Sequence, residues 1–325
     1  SLHLELDETE IPHHDWVGED ETDQFGWEFY YKVKRNGSLL VPGGFGTPVE
    51  RVLPGTLDAK RLFYRYAIFA DHFGEFDYNK GRQVPTSTGG IAEVTDGTNG
   101  LINDAFVDGA NDFMVTLGLW TNPGGTSDQK AGTLMHELGH TLALMHGGVD
   151  HIHHKPNYYS VMNYLWTVPM YWPNWVLDYS QQKLNTMDEK NIDEITGMWG
   201  DPSLMVPVGP PVYAADLIVK HYWKLWSQGG SHDFDRDGDK EPFEPPTEQA
   251  DLNNFGFVKF HDYDNDKKIT YEDQWPDEVL IGHEDWSGLR FNFLGTPSSD
   301  DSQAPSPPPV PELDLEHKQH LDSIG

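Results

Sequence analysis

The chain contains no cysteine. That one absence excludes disulfides, thiolate metal sites and thiol chemistry together. Basic residues are scarce: 22 Lys and Arg stand against 53 Asp and Glu, for a formal net charge of -31. Such a surface repels nucleic acid and anionic membranes, so neither is expected as a partner. The excess acid suits cation binding, a salty environment, or both. No apolar run nears the ~18 residues needed to cross a bilayer. The opening SLHLELDETE is acidic and has neither a basic n-region nor an apolar h-region, so a mature or trimmed chain is expected. Secreted eukaryotic domains usually rely on disulfides. The expectation is therefore a secreted microbial protein, monomeric and stabilised by metal ions.

What is present suffices for a packed core. The chain has 325 residues, 37% of them hydrophobic and 13% aromatic, which argues against wholesale disorder. Residues 1–23 read as an acidic surface arm, 24–208 as the main folded domain, 209–296 as a helix plus acidic-loop segment, and 297–325 as a Pro/Ser-rich linker and tail. Residues 26–41, GWEFYYKVKRNGSLLV, read as a hairpin about Asn36-Gly37. Residues 57–72 read as a short helix leading into a strand near FYRYAIFA. Two turn-rich stretches follow, NKGRQVPTSTGG and TDGTNG. NDFMVTLGLW, residues 111–120, reads as a buried or half-buried strand whose free edge could hold an extended peptide.

Next comes TSDQKAGTLMHELGHTLALMHGG, residues 126–148. Thr126 and Gln129 have capping-box spacing, and no helix breaker intervenes before Gly147-Gly148. Positions four apart share a helix face, so His136 and His140 can present nitrogens to one metal. Glu137, one step around, can accept a proton from a water on that metal. His146 lies six residues beyond His140, and His151, His153 and His154 crowd the following loop. The later aromatic stretch LWTVPMYWPNW reads equally as a pocket wall or as a flap over the core.

Past Gly200, MVPVGPP reads as a linker or sharp turn and AADLIVKHYWKLW has helical spacing. Two acidic loops follow. Asp233, Asp235, Asp237 and Glu244 occupy positions 1, 3, 5 and 12 of an EF-hand-type loop, with Gly238 at position 6. Asp262, Asp264, Asp266 and Asp273 repeat the spacing. Side chains at those positions converge on one point and supply the hard oxygens calcium takes. Lys267 replaces the usual glycine, and Pro245-Pro246 forbids a long exiting helix. One or two structural calcium ions are expected, rather than a sensor that opens. Residues 284–293, EDWSGLRFNF, look strand-like and able to dock back on the core.

HELGHTLALMH followed by SVMNY resembles the metzincin clan of zinc metallopeptidases, in its astacin, serralysin and pappalysin branches. The wider wording GTxxxxAGTLMHELGH, HKPNYYSVMNY and LDYSQQKLNTMDE is similar to secreted prokaryotic members, and the motifs cover about residues 111–200. The resemblance implies an α+β zincin fold, a twisted, mostly parallel sheet with an active-site helix. It implies zinc on His136, His140 and His146, Glu137 as general base, Met162 as the floor of the site and Tyr164 as transition-state helper. The chain departs from the family at Ala143, where the pattern has Gly. At about 100° per residue, a straight helix would put His146 roughly 80° to 120° off the face of the other two. The backbone must therefore leave the helix between His140 and His146, and Asp150, His151 and His153 stay open as other third ligands. The function implied is a secreted zinc metalloendopeptidase acting on proteins or peptides bound extended, held rigid by calcium. The alternative is a catalytically impaired zincin-fold protein that binds surfaces or matrix through calcium.

Overall fold

The computed structural model describes residues 44–61, 64–77, 80–92, 112–120, 122–169, 175–189, 198, 200–208, 224–227, 252–253 and 279–289, with Tyr30, Val33 and Lys34. They form mixed α+β structure, with few helices and small sheets, in two compact units that divide between Ala143 and Leu144. The acidic arm, the tail and both candidate calcium loops lie outside the described residues.

In the first unit, helix α1 spans Pro48–Val52 and α2 spans Thr56–Arg61. Thr47 caps α1: its hydroxyl accepts from the Glu50 amide, the Glu50 carboxylate accepts from the Thr47 amide, and Pro48 opens the first turn. Strand β1, Ala67–Ala70, follows α2 in the order expected for residues 57–72. Strands β2 (Gly74–Asp77) and β3 (Arg82–Pro85) pair antiparallel. The QVP portion of a stretch read as turns is therefore a strand. Strands β4 (Gly90–Ala92) and β5 (Phe113–Thr116) complete a three-stranded sheet in the order β1-β5-β4.

Two expectations are corrected here. The strand ahead of the histidine-bearing helix has no free edge, because β5 is central, parallel to β1 and antiparallel to β4. All four of its residues are buried, as an apolar run covered on both sides should be. Among the described residues the edge on that side belongs to β4. The sheet is also mixed rather than mostly parallel, and the other described pairings are all antiparallel.

Tyr30, Val33 and Lys34 are helical, not part of a hairpin strand. Tyr30 and Val33 are three apart, so one helix turn buries both against Ile68, Phe73, Ile91 and Met114. The Tyr30 hydroxyl also donates to the Tyr66 carbonyl at 3.1 Å. Helix α3, Ser127–Thr141, packs on β4 and β5.

The second unit is mostly turns, held by buried polar groups. Ser160 Oγ accepts from the Met162 amide, and the Asn163 amide donates to the Ser160 carbonyl, giving a tight turn with Met162 fully buried. Asn163 Nδ2 donates to the carbonyls of Lys155 and Tyr158, both at 2.7 Å. Leu165, Trp166 and Val168 are buried, and Trp175 Nε1 donates to the Trp166 carbonyl. Strand β6 (Met187–Asp188) pairs antiparallel with β9 (Val279–Leu280), and β7 (Met205–Val208) with β8 (Lys224–Ser227).

Three further expectations change. MVPV is strand β7, not a linker; its Pro207 lacks only an amide donor, which a two-stranded ribbon tolerates. Lys224–Trp226 is strand, not helix, with Trp226 opposite Val206. Glu284–Leu289 is turn, not strand: Gly288 and Leu289 amides both return to the Asp285 carbonyl. No helix among the described residues is long and apolar enough to cross a membrane.

Candidate metal centre

Helix α3 begins as its sequence directs. Thr126 Oγ1 accepts from the Gln129 amide at 3.2 Å, and Gln129 Oε1 accepts from the Thr126 amide at 2.9 Å. From there the helix buries Gln129, Gly132, Thr133, His136, Glu137 and His140, a single stripe at helical period. His136 and His140 thus converge, with Nε2 atoms 3.2 Å apart and ring planes at 86°. For metal–nitrogen bonds of 2.0–2.1 Å, two ligands of a tetrahedral ion sit about 3.3 Å apart. The pair already has that spacing.

The helix then stops. The Leu142 amide bonds the Gly139 carbonyl, the Ala143 amide bonds the His140 carbonyl, and Ala143 takes φ 71°. For an alanine this left-handed conformation costs on the order of 1–2 kcal/mol. It redirects the chain into a tight turn in which Met145 and Gly148 exchange both backbone hydrogen bonds, at 3.0 and 2.9 Å. Gly148 has φ 85°, and His146 sits at the turn's tip, fully buried. Ligand atoms of His136, His140 and His146 lie within 4.8 Å of one another, all three residues buried. These three histidines could hold a metal ion. Three imidazoles form a donor set that suits zinc, copper, iron or nickel.

The reserve ligands lie differently. Asp150 is engaged by the Lys155 ammonium at 2.6 Å and the Ile152 amide at 3.0 Å. His151 is exposed, its ring 6.5 Å from that of His146. His153 stacks on Tyr164 at 4.9 Å and 9°, and both rings lie beside His146, at 4.7 and 4.5 Å. Tyr164 is therefore a neighbour of the third histidine, and Met162 is fully buried two residues before it.

Comparison of the chain with protein-family models, with curated proteins and with solved structures returned no match.

Glu137 is completely buried, and what covers it could not be read from the motif. A β-carbon on Gly90 would collide with the Glu137 carboxylate and come within 2.8 Å of the Met114 carbonyl oxygen. Only a hydrogen at position 90 lets strand β4 lie this close. The sequence signal was slight, a Gly-Gly pair ahead of Ile91-Ala92. Gly90→Ala is expected to lower stability by about 1–3 kcal/mol, as overpacking does. It should also displace the carboxylate. Thermal unfolding of the variant beside the parent checks the loss of stability.

Another fully buried carboxylate, Asp285, was also missed. It accepts from Tyr158 Oη at 2.7 Å, Ser160 Oγ at 2.6 Å and the Ser180 amide at 2.8 Å. Burial pushes its pKa above the ordinary carboxylate value, and these donors oppose the rise. Burial, helped by the Asp285 charge, holds the Tyr158 phenol well above its usual range, so it remains a donor. Asp285 thereby ties the Ser160–Asn163 turn to residues 279–289.

Proposed function

We propose that this chain is a zinc-dependent metalloendopeptidase that hydrolyses peptide bonds in extended segments of protein. The observation that carries this reading is the convergence of three buried imidazoles around the His136–His140 pair, with a carboxylate, Glu137, buried on the same helix. A zinc ion held by His136, His140 and His146 would supply Lewis acidity for a carbonyl and lower the pKa of a water. Glu137 would take a proton from a water on a carboxylate oxygen as that water's oxygen bonds to the carbonyl carbon, and would deliver it to the amine as the C–N bond breaks. Tyr164, beside His146, would donate a hydrogen bond from its hydroxyl to the carbonyl oxygen as charge develops there. Among the described residues strand β4 is a sheet edge, and its backbone could align a substrate by main-chain hydrogen bonds. The acidic loops at 233–244 and 262–273 are proposed sites for structural calcium, and their charge fits work outside the cell.

The test joins composition to activity. The purified chain should contain close to one zinc and cleave a denatured protein such as casein. A strong chelator should abolish cleavage, and zinc, but not calcium alone, should restore it. Cleavage that survives complete removal of zinc would overturn the reading. A peptide library run on the same preparation would define the preferred bond.

A further inference from the structure

Lys155 is a lysine with no exposed surface. A buried ammonium is costly unless fully hydrogen-bonded, so where its donors go shows what it organises. Its Nζ reaches three acceptors: the Gly147 carbonyl at 3.1 Å, Asp150 Oδ2 at 2.6 Å and the Ile281 carbonyl at 3.0 Å. The first belongs to the residue after His146. The second belongs to the end of the same loop, where the Gly147 amide also returns to the Asp150 carbonyl at 2.9 Å. The third lies 126 residues further along the chain.

The same distant segment touches the His146 turn elsewhere. A β-carbon on Gly148 would come within 2.5 Å of His283 Cβ, and one on Gly147 within 2.8 Å of Lys155 Nζ. Both glycines of the turn are therefore packed to contact, Gly147 by Asp150, the Ile152 carbonyl and the lysine, and Gly148 by residue 283. Asn157 Nδ2 adds a 2.7 Å bond to the Leu280 carbonyl. The turn that presents His146 is thus clamped between Lys155 and residues 279–289.

We infer that Lys155 is a positioning residue for the third imidazole, and that docking of residues 279–289 is coupled to metal occupancy through it. Linkage makes the coupling reciprocal: a docked segment favours metal, and bound metal favours a docked segment. The inference rests on the three histidines holding a metal and is independent of peptidase activity.

Two measurements test it on the full chain. In the first, the double variant Lys155→Met/Asp150→Asn removes both charges and leaves no ion buried alone. The carboxamide introduced by Asp150→Asn keeps an oxygen for the Ile152 amide. Zinc affinity, read against a competing chelator at equal folded fraction, should fall ten- to a hundredfold, as loss of an orienting group does. The visible spectrum of the cobalt-loaded variant should change as well, which a loss of stability alone would not cause. In the second, hydrogen exchange is followed on the unaltered chain with and without zinc. The amides of Asp285, Gly288 and Leu289 should gain at least tenfold protection with zinc. A folded double variant whose zinc affinity stays within twofold of native overturns the inference, and so does exchange at 279–289 that ignores zinc. If the double variant does not fold, the exchange result decides alone. A native chain that takes up no zinc would appear in its own titration, and would overturn the site and this inference together.

Discussion

Glu137→Gln should reduce hydrolysis of a denatured protein by about 10²–10⁴-fold, the usual contribution of a general base, while zinc content stays at the parent level. The substitution is nearly isosteric, so the close approach of Gly90 and the covering strand survive. An amide at this position cannot take up a proton near neutral pH, and that is the only property the proposed chemistry asks of the side chain. The metal ligands are its neighbours in sequence but belong to other residues, so binding and catalysis should separate cleanly. A second consequence follows from burial. A carboxyl group with no exposed surface is held away from water, and neutralising it should leave the protein as stable as the parent or more so. Glu137→Ala should lose activity as well, but with a cavity and a lower melting temperature. A Glu137→Gln variant with turnover within tenfold of the parent would remove the residue from the mechanism. Loss of zinc along with activity would recast it as structural.

The helix at the centre of this site was legible because its signals are local. A capping box at Thr126, an unbroken helical period and a histidine repeat of four specify both the helix and the face that carries His136 and His140. The break at Ala143 followed from the resemblance, which implies His146 as a ligand: from a continued helix His146 could not join the pair. The remaining errors came where the answer depended on what lay alongside. YYKV carries residues at helical spacing inside a β-branched and aromatic run, and burial against Ile68 and Met114 decided for helix. KLW followed an apparently helical pattern, yet pairing with Met205–Val208 made it strand. That β5 would be central rather than an edge depended on Gly90–Ala92, three residues too few to announce a strand. Lys155 and Asp285 gave no signal, because their partners at Ile281, Tyr158 and Ser180 are remote in sequence.

His146→Ala should weaken zinc binding by about 10²–10³-fold, and His151→Ala should leave it nearly unchanged. The size follows from a ligation energy of roughly 10 kcal/mol shared among the protein ligands, about 3 kcal/mol each, at 1.4 kcal/mol per tenfold. That share also explains how the chain tolerates its alanine. The left-handed conformation at Ala143 costs on the order of 1–2 kcal/mol, less than the third imidazole returns once a metal is held. His151 is exposed and its ring lies well away, so its loss removes no ligand. His153→Ala is the sharper control. Its ring touches both His146 and Tyr164, so removing it should cost a few-fold in affinity through lost packing, far less than removal of a ligand. Isothermal titration, or competition with a chromophoric chelator, on the three variants gives the ranking. If His153→Ala loses more zinc than His146→Ala, the third ligand has been misassigned, and the turn at Ala143 serves some purpose other than coordination.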